Sequence, residues 1–381
     1  MPEPSSVPRI GFACVWDQPN PQATWSFTPW NLRAAMRSLT DVPDVGVSIP
    51  RQAQMALKAL HTRRRGGRMV TTWRQSRLTD AYIERAVNGA VAKADCDAVF
   101  EIGDLASLQR PFFLYQDLSF DALLAVRESA GVPLPLNLTP SDLRRRRERQ
   151  LTVYAKAAGV FAMSHWFART LVELTGLPEE KVHVLHPGRS AVATRSDSAP
   201  LPVREGPRRR LLMVGQLFLQ KGGQQVLAAL EILRRDVDPD ITLTVAGPPQ
   251  WPLPGEIPAG VEYLGRRPRE EIGPLYDSHD LFVMPSRLDG FGIVFTEALS
   301  RGMPCIGRDA FAMPEIIEPG VTGALITGDD PADLAAVIAG ALADDSLYAK
   351  CRAKAPEIAA HFTWERAGHQ VVDTIANALS A

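Results

Sequence analysis

Long hydrophobic runs are missing from this 381-residue chain. No window approaches the ~20 consecutive apolar residues that a membrane-spanning helix needs. The N-terminus, MPEPSSVPRI, lacks the apolar segment of a secretory leader. Cysteine is scarce and scattered, at Cys14, Cys96, Cys305 and Cys351. That spacing suggests neither a disulfide framework nor a zinc site, so a reduced, cytoplasmic setting is expected. Net charge is nearly absent, at -1, so no global field points to nucleic acid or a membrane. Basic residues instead cluster locally, as Arg63-Arg64-Arg65 with Arg68, Arg144 to Arg147 with Arg149, and Arg208 to Arg210. Asp95/Asp97 and Asp238/Asp240 have metal-like spacing but surface-like contexts, and no metal or other cofactor is assigned to them.

What remains is an ordinary globular composition, 45% hydrophobic and 22% charged, long enough for two domains with a core in each. The most informative stretch is residues 281–306, LFVMPSRLDGFGIVFTEALSRGMPCI. An apolar run from Leu281 to Met284 reads as a buried strand of a parallel sheet. A loop with Gly290 and Gly292 follows, then a helical pattern closed by Gly302 and Pro304. Such a strand, loop and helix presents backbone N–H groups and the positive helix end to an anion, most often phosphate. Asp289 lies in the loop and Glu297 one to two turns into the helix, roughly 7 Å or more apart along the helical part. That separation suits two ends of one ligand better than a pair working on one bond, although inverting glycosidases overlap the range.

Asp289-Gly-Phe-Gly with Glu297 resembles the E-x7-E signature of retaining GT-B glycosyltransferases, family 4, with Asp in place of the first Glu. The resemblance implies two Rossmann-like α/β/α domains with parallel sheets facing across a cleft. Asp289 would hold hydroxyls of the transferred sugar. Gly290, Phe291, Gly292, Ile293 and Val294 would meet sugar and diphosphate, and Glu297 the ribose. The segment from Gly215 through Gln216 to Lys221 is similar to the family's G-R-x4-K-G motif. Lys221 then serves the diphosphate, while Gln216 stands where the family has Arg, with Arg287 or Arg266 as possible substitutes. The turn at Arg266 and Arg267 corresponds to the family's contact with the nucleotide base. Ala312-Met-Pro-Glu315 with Gly320 and Gly323 is similar to a further family segment, with Phe311 and Ala312 in place of glycines.

The rest of the chain reads as strands and helices in alternation. Residues 1–8 are Pro- and Ser-rich and expected to be loose. Strands are expected at 10–15, 45–49, 98–102, 112–115, 160–163 and 182–185 in the first half. Helices are expected from about Trp30, at 52–61, 78–92, 141–158 and 164–174. Residues 63–68 read as a solvated turn. The loop before the first helix carries Ser26-Phe27-Thr28 where relatives often have paired glycines; Trp25 and Phe27 suit either core or a lid. At the end of the 112–115 strand, Gln116 replaces the His of the family's acceptor-side His-Asp pair, and Asp117 is either an acceptor ligand or a helix cap. The basic helix at 141–158 is either a solvated face or an attractor of anions.

Residues 189–208 are poor in hydrophobics and mark the domain boundary. The expected division is an acceptor-side domain over 1–190 with the last helix, 364–381, packed back on it, a linker over 191–208, and a donor domain over 209–363. Strand and helix alternate on both sides of the linker, the pattern of α/β domains with parallel sheets. The expected activity is transfer of a sugar from a UDP- or GDP-linked donor to an unidentified small-molecule, glycan or lipid acceptor. Asp289, Lys221 and Asp117 are the candidate catalytic residues. Ser26, Phe27, Thr28, Gln116 and Asp117 are the candidate acceptor side. A nucleotide-sugar isomerase or hydrolase on the same fold, or a non-catalytic binder, are the rivals. Nucleic acid is not an expected partner; peripheral membrane contact stays open.

Overall fold

The computed structural model describes residues 7–65, 68–130, 138–189 and 206–380. Residues 1–6 of the expected loose N-terminus and residues 190–205 of the expected linker lie outside them. Chain contacts divide the protein into Met1–Gly188 with Trp364–Ala381, here unit 1, and Arg189–Thr363, unit 2. Among the described residues no helix is long and apolar enough to cross a membrane.

Unit 1 runs β1 (Ile10–Ala13), α1 (Thr28–Arg37), α2 (Arg51–His61), β2 (Thr62–Arg65), β3 (Arg68–Thr71), α3 (Arg77–Val91), β4 (Ala98–Ile102), β5 (Phe112–Gln116), α4 (Phe120–Ala130), α5 (Pro140–Lys156), β6 (Gly159–Ala162), α6 (His165–Arg169) and β7 (Val182–Val184). The sheet is parallel, in the order β1-β4-β5-β6-β7. β1, β4, β5 and β6 are buried along their whole length, which is why they read as continuous apolar runs. The last helix of the chain, α13 (Trp364–Ser380), belongs to this unit. Gln370 donates to the Val184 carbonyl at 2.6 Å and Arg366 to the His186 carbonyl at 2.7 Å, fixing α13 at the β7 edge.

Unit 2 runs β8 (Arg210–Val214), α7 (Gly223–Asp236), β9 (Thr242–Ala246), β10 (Val261–Gly265), α8 (Arg269–Ser278), β11 (Leu281–Val283), α9 (Ile293–Leu299), β12 (Cys305–Arg308), α10 (Met313–Ile316), β13 (Gly323–Ile326), α11 (Pro331–Ala343) and α12 (Asp345–His361). Its parallel sheet has the order β10-β9-β8-β11-β12-β13. Numbered within the unit this is 3-2-1-4-5-6, the doubly wound arrangement. The connections that leave the adjacent strands β8 and β11 run to opposite sides of the strand order, which opens a crevice at the sheet's C-terminal edge. Ligands of open α/β sheets bind in the crevice this creates.

Two expectations are corrected, and two further features were not anticipated. Residues 45–49 form no full strand. They lie parallel to β1 through bonds such as Val45 N–H to the Phe12 carbonyl and Val47 N–H to the Cys14 carbonyl. Pro43 has no N–H to continue that pairing. Residues 63–68 are not a plain turn: β2 and β3 pair antiparallel, Thr62 opposite Thr71 and Arg65 opposite Arg68. Helices α4 and α12 were not anticipated. The basic face of α5 is largely neutralised. Arg146 pairs with Asp80, Arg147 with Asp121, Arg149 with Asp104 at 3.6 Å, and Arg145 with Asp142 at 3.4 Å. As for Trp25 and Phe27, the two readings meet halfway, since both side chains are half-buried.

One buried acid of unit 1 makes stability depend on pH. Glu101, in the middle of the sheet, has 0% exposure. Its Oε2 accepts the Leu105 and Ala106 amides at 3.1 and 3.2 Å, and its Oε1 has no partner. Burial pushes the carboxyl from the ordinary 4.5 up to about 8. The folded chain therefore keeps a proton that the unfolded chain releases. Stability from that proton is full below pH 4.5 and is lost as pH rises towards 8. Glu101→Gln keeps an acceptor for both amides and cannot ionise. It should gain on the wild type between pH 5 and pH 8 by on the order of 2 kcal/mol, read from thermal or denaturant unfolding at both pH values. An equal offset at the two pH values would show that Glu101 is not held neutral.

Candidate functional site

The site is built where the strand order of unit 2 reverses. The loop after β8, residues 215–222, and the loop after β11, residues 284–292, lie against each other. The Arg287 amide donates to the Gln220 carbonyl at 2.8 Å. Gly222 has φ +83°, and a Cβ there would stand 2.6 Å from the Pro285 carbonyl oxygen. No side chain fits that approach, and the left-handed backbone favours glycine as well.

This approach brings Lys221 and Asp289, 68 residues apart, into an ion pair of 2.6 Å. The Ser286 hydroxyl donates to the same Asp289 oxygen at 3.4 Å. The two charged side chains are 19% and 10% exposed, so the pair is mostly out of water but open to a ligand. Beside it α7 and α9 begin. Each has a left-handed glycine at its N-cap, Gly222 and Gly292, and neither has a side-chain cap. Gly292 has φ +89°, and a Cβ there would press to 2.7 Å on the Phe295 ring. By contrast Asp330 and Asp344 cap α11 and α12. Gly223 N–H donates to the Phe218 carbonyl and Phe295 N–H to the Gly292 carbonyl; the N–H groups of Gln224 and Gln225 on α7 and of Ile293 and Val294 on α9 are positioned for an anion, next to an ammonium.

Glu297, on the second turn of α9, is 5% exposed. Arg269 donates to its Oε1 at 3.0 Å and the Tyr276 hydroxyl to its Oε2 at 3.0 Å. Both donors come from α8. Burial raises the Tyr276 hydroxyl well above the usual phenol range, and the Glu297 charge adds to this, so it stays a donor. Each carboxylate oxygen keeps a lone pair for a further donor. Sequence reading missed Arg269 and Tyr276, which lie 28 and 21 residues before Glu297. No local spacing links them to it.

The other expected donor residues spread around this centre. Gly215 follows β8 and is half-buried; Gln216 is exposed. Gly290 and Phe291 are buried, Phe291 against Phe362 at 6.0 Å, and Ile293 and Val294 are half-buried. Arg266 and Arg267 are exposed, and Arg267 pairs with Glu271 at 3.3 Å. Arg287 pairs with Asp329 at 3.2 Å. Arg308, which sequence reading passed over, holds Asp329 at 2.6 Å and Gln225 at 3.2 Å. A further unanticipated group is an aromatic row, Phe218, Trp251 and Tyr263, with ring centres 5.7 and 5.5 Å apart.

In unit 1 the expected acceptor residues have mixed settings. Gln116 is buried and accepts a bond from the Tyr154 hydroxyl. Asp117 is half-buried at the end of β5. Ser26 is exposed, Phe27 half-buried and Thr28 buried. Trp25, Ser26 and Phe27 have φ of 40°, 57° and 66°, a run of left-handed residues without a glycine. The Trp25 ring meets Tyr115 edge-on at 6.1 Å.

The sequence profile of the family described as Glycosyl transferases group 1 matches residues 201–358. A D-inositol 3-phosphate glycosyltransferase of Nocardia farcinica is 29% identical over 244 residues, 60% of this chain and 54% of that protein. Its counterpart in Corynebacterium efficiens is 30% identical over 180 residues, 44% of this chain and 42% of that one. The chain thus matches about half the length of these curated relatives. Among solved structures, WaaG, a glycosyltransferase involved in lipopolysaccharide biosynthesis, superposes with a TM-score of 0.69 at 16% identity, covering 96% of this chain and 99% of that one. Anabaena HepE in complex with UDP and glucose gives 0.64 at 16% identity, covering 97% and 99%. The chain has the GT-B fold, and residues 201–358, within its C-terminal half, are similar to the group 1 glycosyl transferases.

Proposed function

We propose that this protein transfers a sugar from a nucleotide diphosphate sugar to an acceptor, with retained configuration. The observation that carries the reading is the Lys221–Asp289 pair set between two uncapped helix starts. In the proposed complex the diphosphate takes Lys221 and the N–H groups of α7 and α9. Sugar hydroxyls take Asp289, and the ribose takes Glu297, held by Arg269 and Tyr276.

The chemistry follows from where charge grows. As the bond from the anomeric carbon to the donor phosphate stretches, its electron pair moves to the phosphate oxygen. Lys221 and the helix starts stabilise that oxygen more in the transition state than before it. The acceptor hydroxyl attacks the same face of the sugar and gives its proton to the departing phosphate. A sugar–acceptor bond forms, a nucleoside diphosphate leaves, and no side chain forms a covalent intermediate. The charge this scheme calls on is carried by Lys221, without a metal ion. The HepE structures with UDP and UDP-glucose make uridine donors the first to test.

A thermal-shift screen of UDP- and GDP-sugars tests the binding step, because a ligand that prefers the folded chain raises its midpoint by mass action. One donor is expected to give a clear shift, and Lys221→Ala and Glu297→Ala to abolish it. If both variants respond like the parent, the donor site is misassigned. Turnover is expected only with an acceptor present; donor consumption without one would favour the isomerase or hydrolase reading.

Tyr276→Phe removes one of the two bonds that hold Glu297 and leaves the ring in place. It is expected to weaken donor binding by roughly fivefold to tenfold, somewhat less than the full worth of one hydrogen bond to a charged group because the bond acts on the donor only through Glu297. Titration calorimetry would read the change, and a variant with parental affinity would mean that Tyr276 plays no part in presenting Glu297.

A further inference from the structure

We propose that unit 1 carries a separate binding site for a phosphate monoester. It lies in a cavity of about 570 Å³ between the β2–β3 hairpin and the starts of α3 and α5. The cavity is lined by Arg63 and Arg64 of the hairpin, Arg77 at the start of α3, and Arg145 and Asp142 of α5, among others.

Charge balance carries the argument. Several cationic groups around this cavity already have acids. Arg145, Arg146, Arg147 and Arg149 of α5 are paired, and Arg74 pairs with Asp17 at 3.2 Å. Arg63, Arg64 and Arg77 are different: among the described residues none of them has an acidic partner. All three line the same cavity. Its acid, Asp142, is engaged in the capping box with Thr139 and in the pair with Arg145. Arg145 is fixed further by a bond to the Gln75 carbonyl at 2.8 Å. The cavity therefore gathers three guanidinium groups that no acid among the described residues neutralises.

Guanidinium groups match a phosphate dianion in charge and in fork geometry. The volume falls within the range of roughly 300–1,000 Å³ typical of small-molecule sites, well beyond what inorganic phosphate needs. Val70, Leu78 and Leu138 give the rest of the wall an apolar part for the body of the ester. Exposed Met55 and Leu60 of α2 and Met69 of β3 lie outside the lining, so a lipid surface is the contrasting source of the same phosphate chemistry.

The site uses no donor-site residue, so its failure leaves the donor reading untouched. The test uses the full chain carrying Lys221→Ala, which removes the ammonium of the unit 2 anion site. Glycerol 1-phosphate and glycerol are titrated by calorimetry. The ester is expected to bind and glycerol not to. Adding Arg63→Gln, Arg64→Gln and Arg77→Gln is expected to weaken the ester roughly tenfold or more, in keeping with loss of charge-assisted bonds. On the parent background the same three substitutions should leave the folding midpoint and the nucleotide-sugar shift unchanged. The proposal falls if the ester does not bind the Lys221→Ala chain, or binds the arginine variant equally well. It also falls if flotation shows arginine-dependent capture by phosphatidylglycerol vesicles while the soluble ester does not bind.

Discussion

The ion pair between Lys221 and Asp289 is the contact on which the functional reading rests, and it exists because of sheet topology. The two residues follow β8 and β11, adjacent strands whose outgoing connections turn opposite ways. Their loops can touch only because Gly222 leaves room for the Pro285 carbonyl. A partly buried pair of this kind adds little net stability, since desolvation offsets most of the attraction. Its value is positional. With no ligand, each charge answers the other; a ligand that brings an anion to the lysine and hydroxyls to the carboxylate can replace both contacts together. A ligand that offers one without the other leaves a charge unpaired in a poorly hydrated place. In the proposed reaction the pair thus selects for a diphosphate and a sugar in one molecule.

The parts of this design written in local sequence were legible. The apolar run of β11, the two glycines after it and the spacing of Asp289 and Glu297 lie within 17 residues, and Lys221 sits directly before a helix start. The donors that orient Glu297 were not legible. Arg269 and Tyr276 look like surface and core positions of an ordinary amphipathic helix, and only the packing of α8 beside α9 turns them to the carboxylate. The hairpin at 62–71 was hidden for a related reason. Its strands are rich in arginine and lack the apolar alternation by which a half-buried strand announces itself.

Charge shows the same limit. On paper the arginines of α5 form a strongly basic helix. In the fold, acids from α3, α4 and the loop after β4 meet them one by one. Arg63 and Arg64 read as part of a solvated turn in the sequence, and in the fold they line one cavity with Arg77, none of the three with an acidic partner among the described residues. Composition gives the sum of charges, and only packing decides which of them are cancelled.

Helix starts sharpen the contrast between structural and functional ends. Ser76, Thr139 and Ser164 cap α3, α5 and α6, and Asp330 and Asp344 cap α11 and α12. A missing cap of this type costs roughly 1 kcal/mol. At α7 and α9 the cap is a glycine instead. A side-chain oxygen there would occupy the N–H groups and place negative or partly negative atoms where a phosphate would sit. A left-handed glycine turns the chain as sharply and leaves the donors open. The loop at 25–27 is the counterpart in unit 1: it takes left-handed angles with Trp, Ser and Phe, at a cost in strain that glycine would avoid. Side chains at those positions are therefore retained against a backbone preference, and Trp25 shows one reason, its edge contact with the Tyr115 ring. In unit 2 the backbone itself is kept bare for the ligand, while in unit 1 the same kind of turn is clothed with side chains that shape the surface around it.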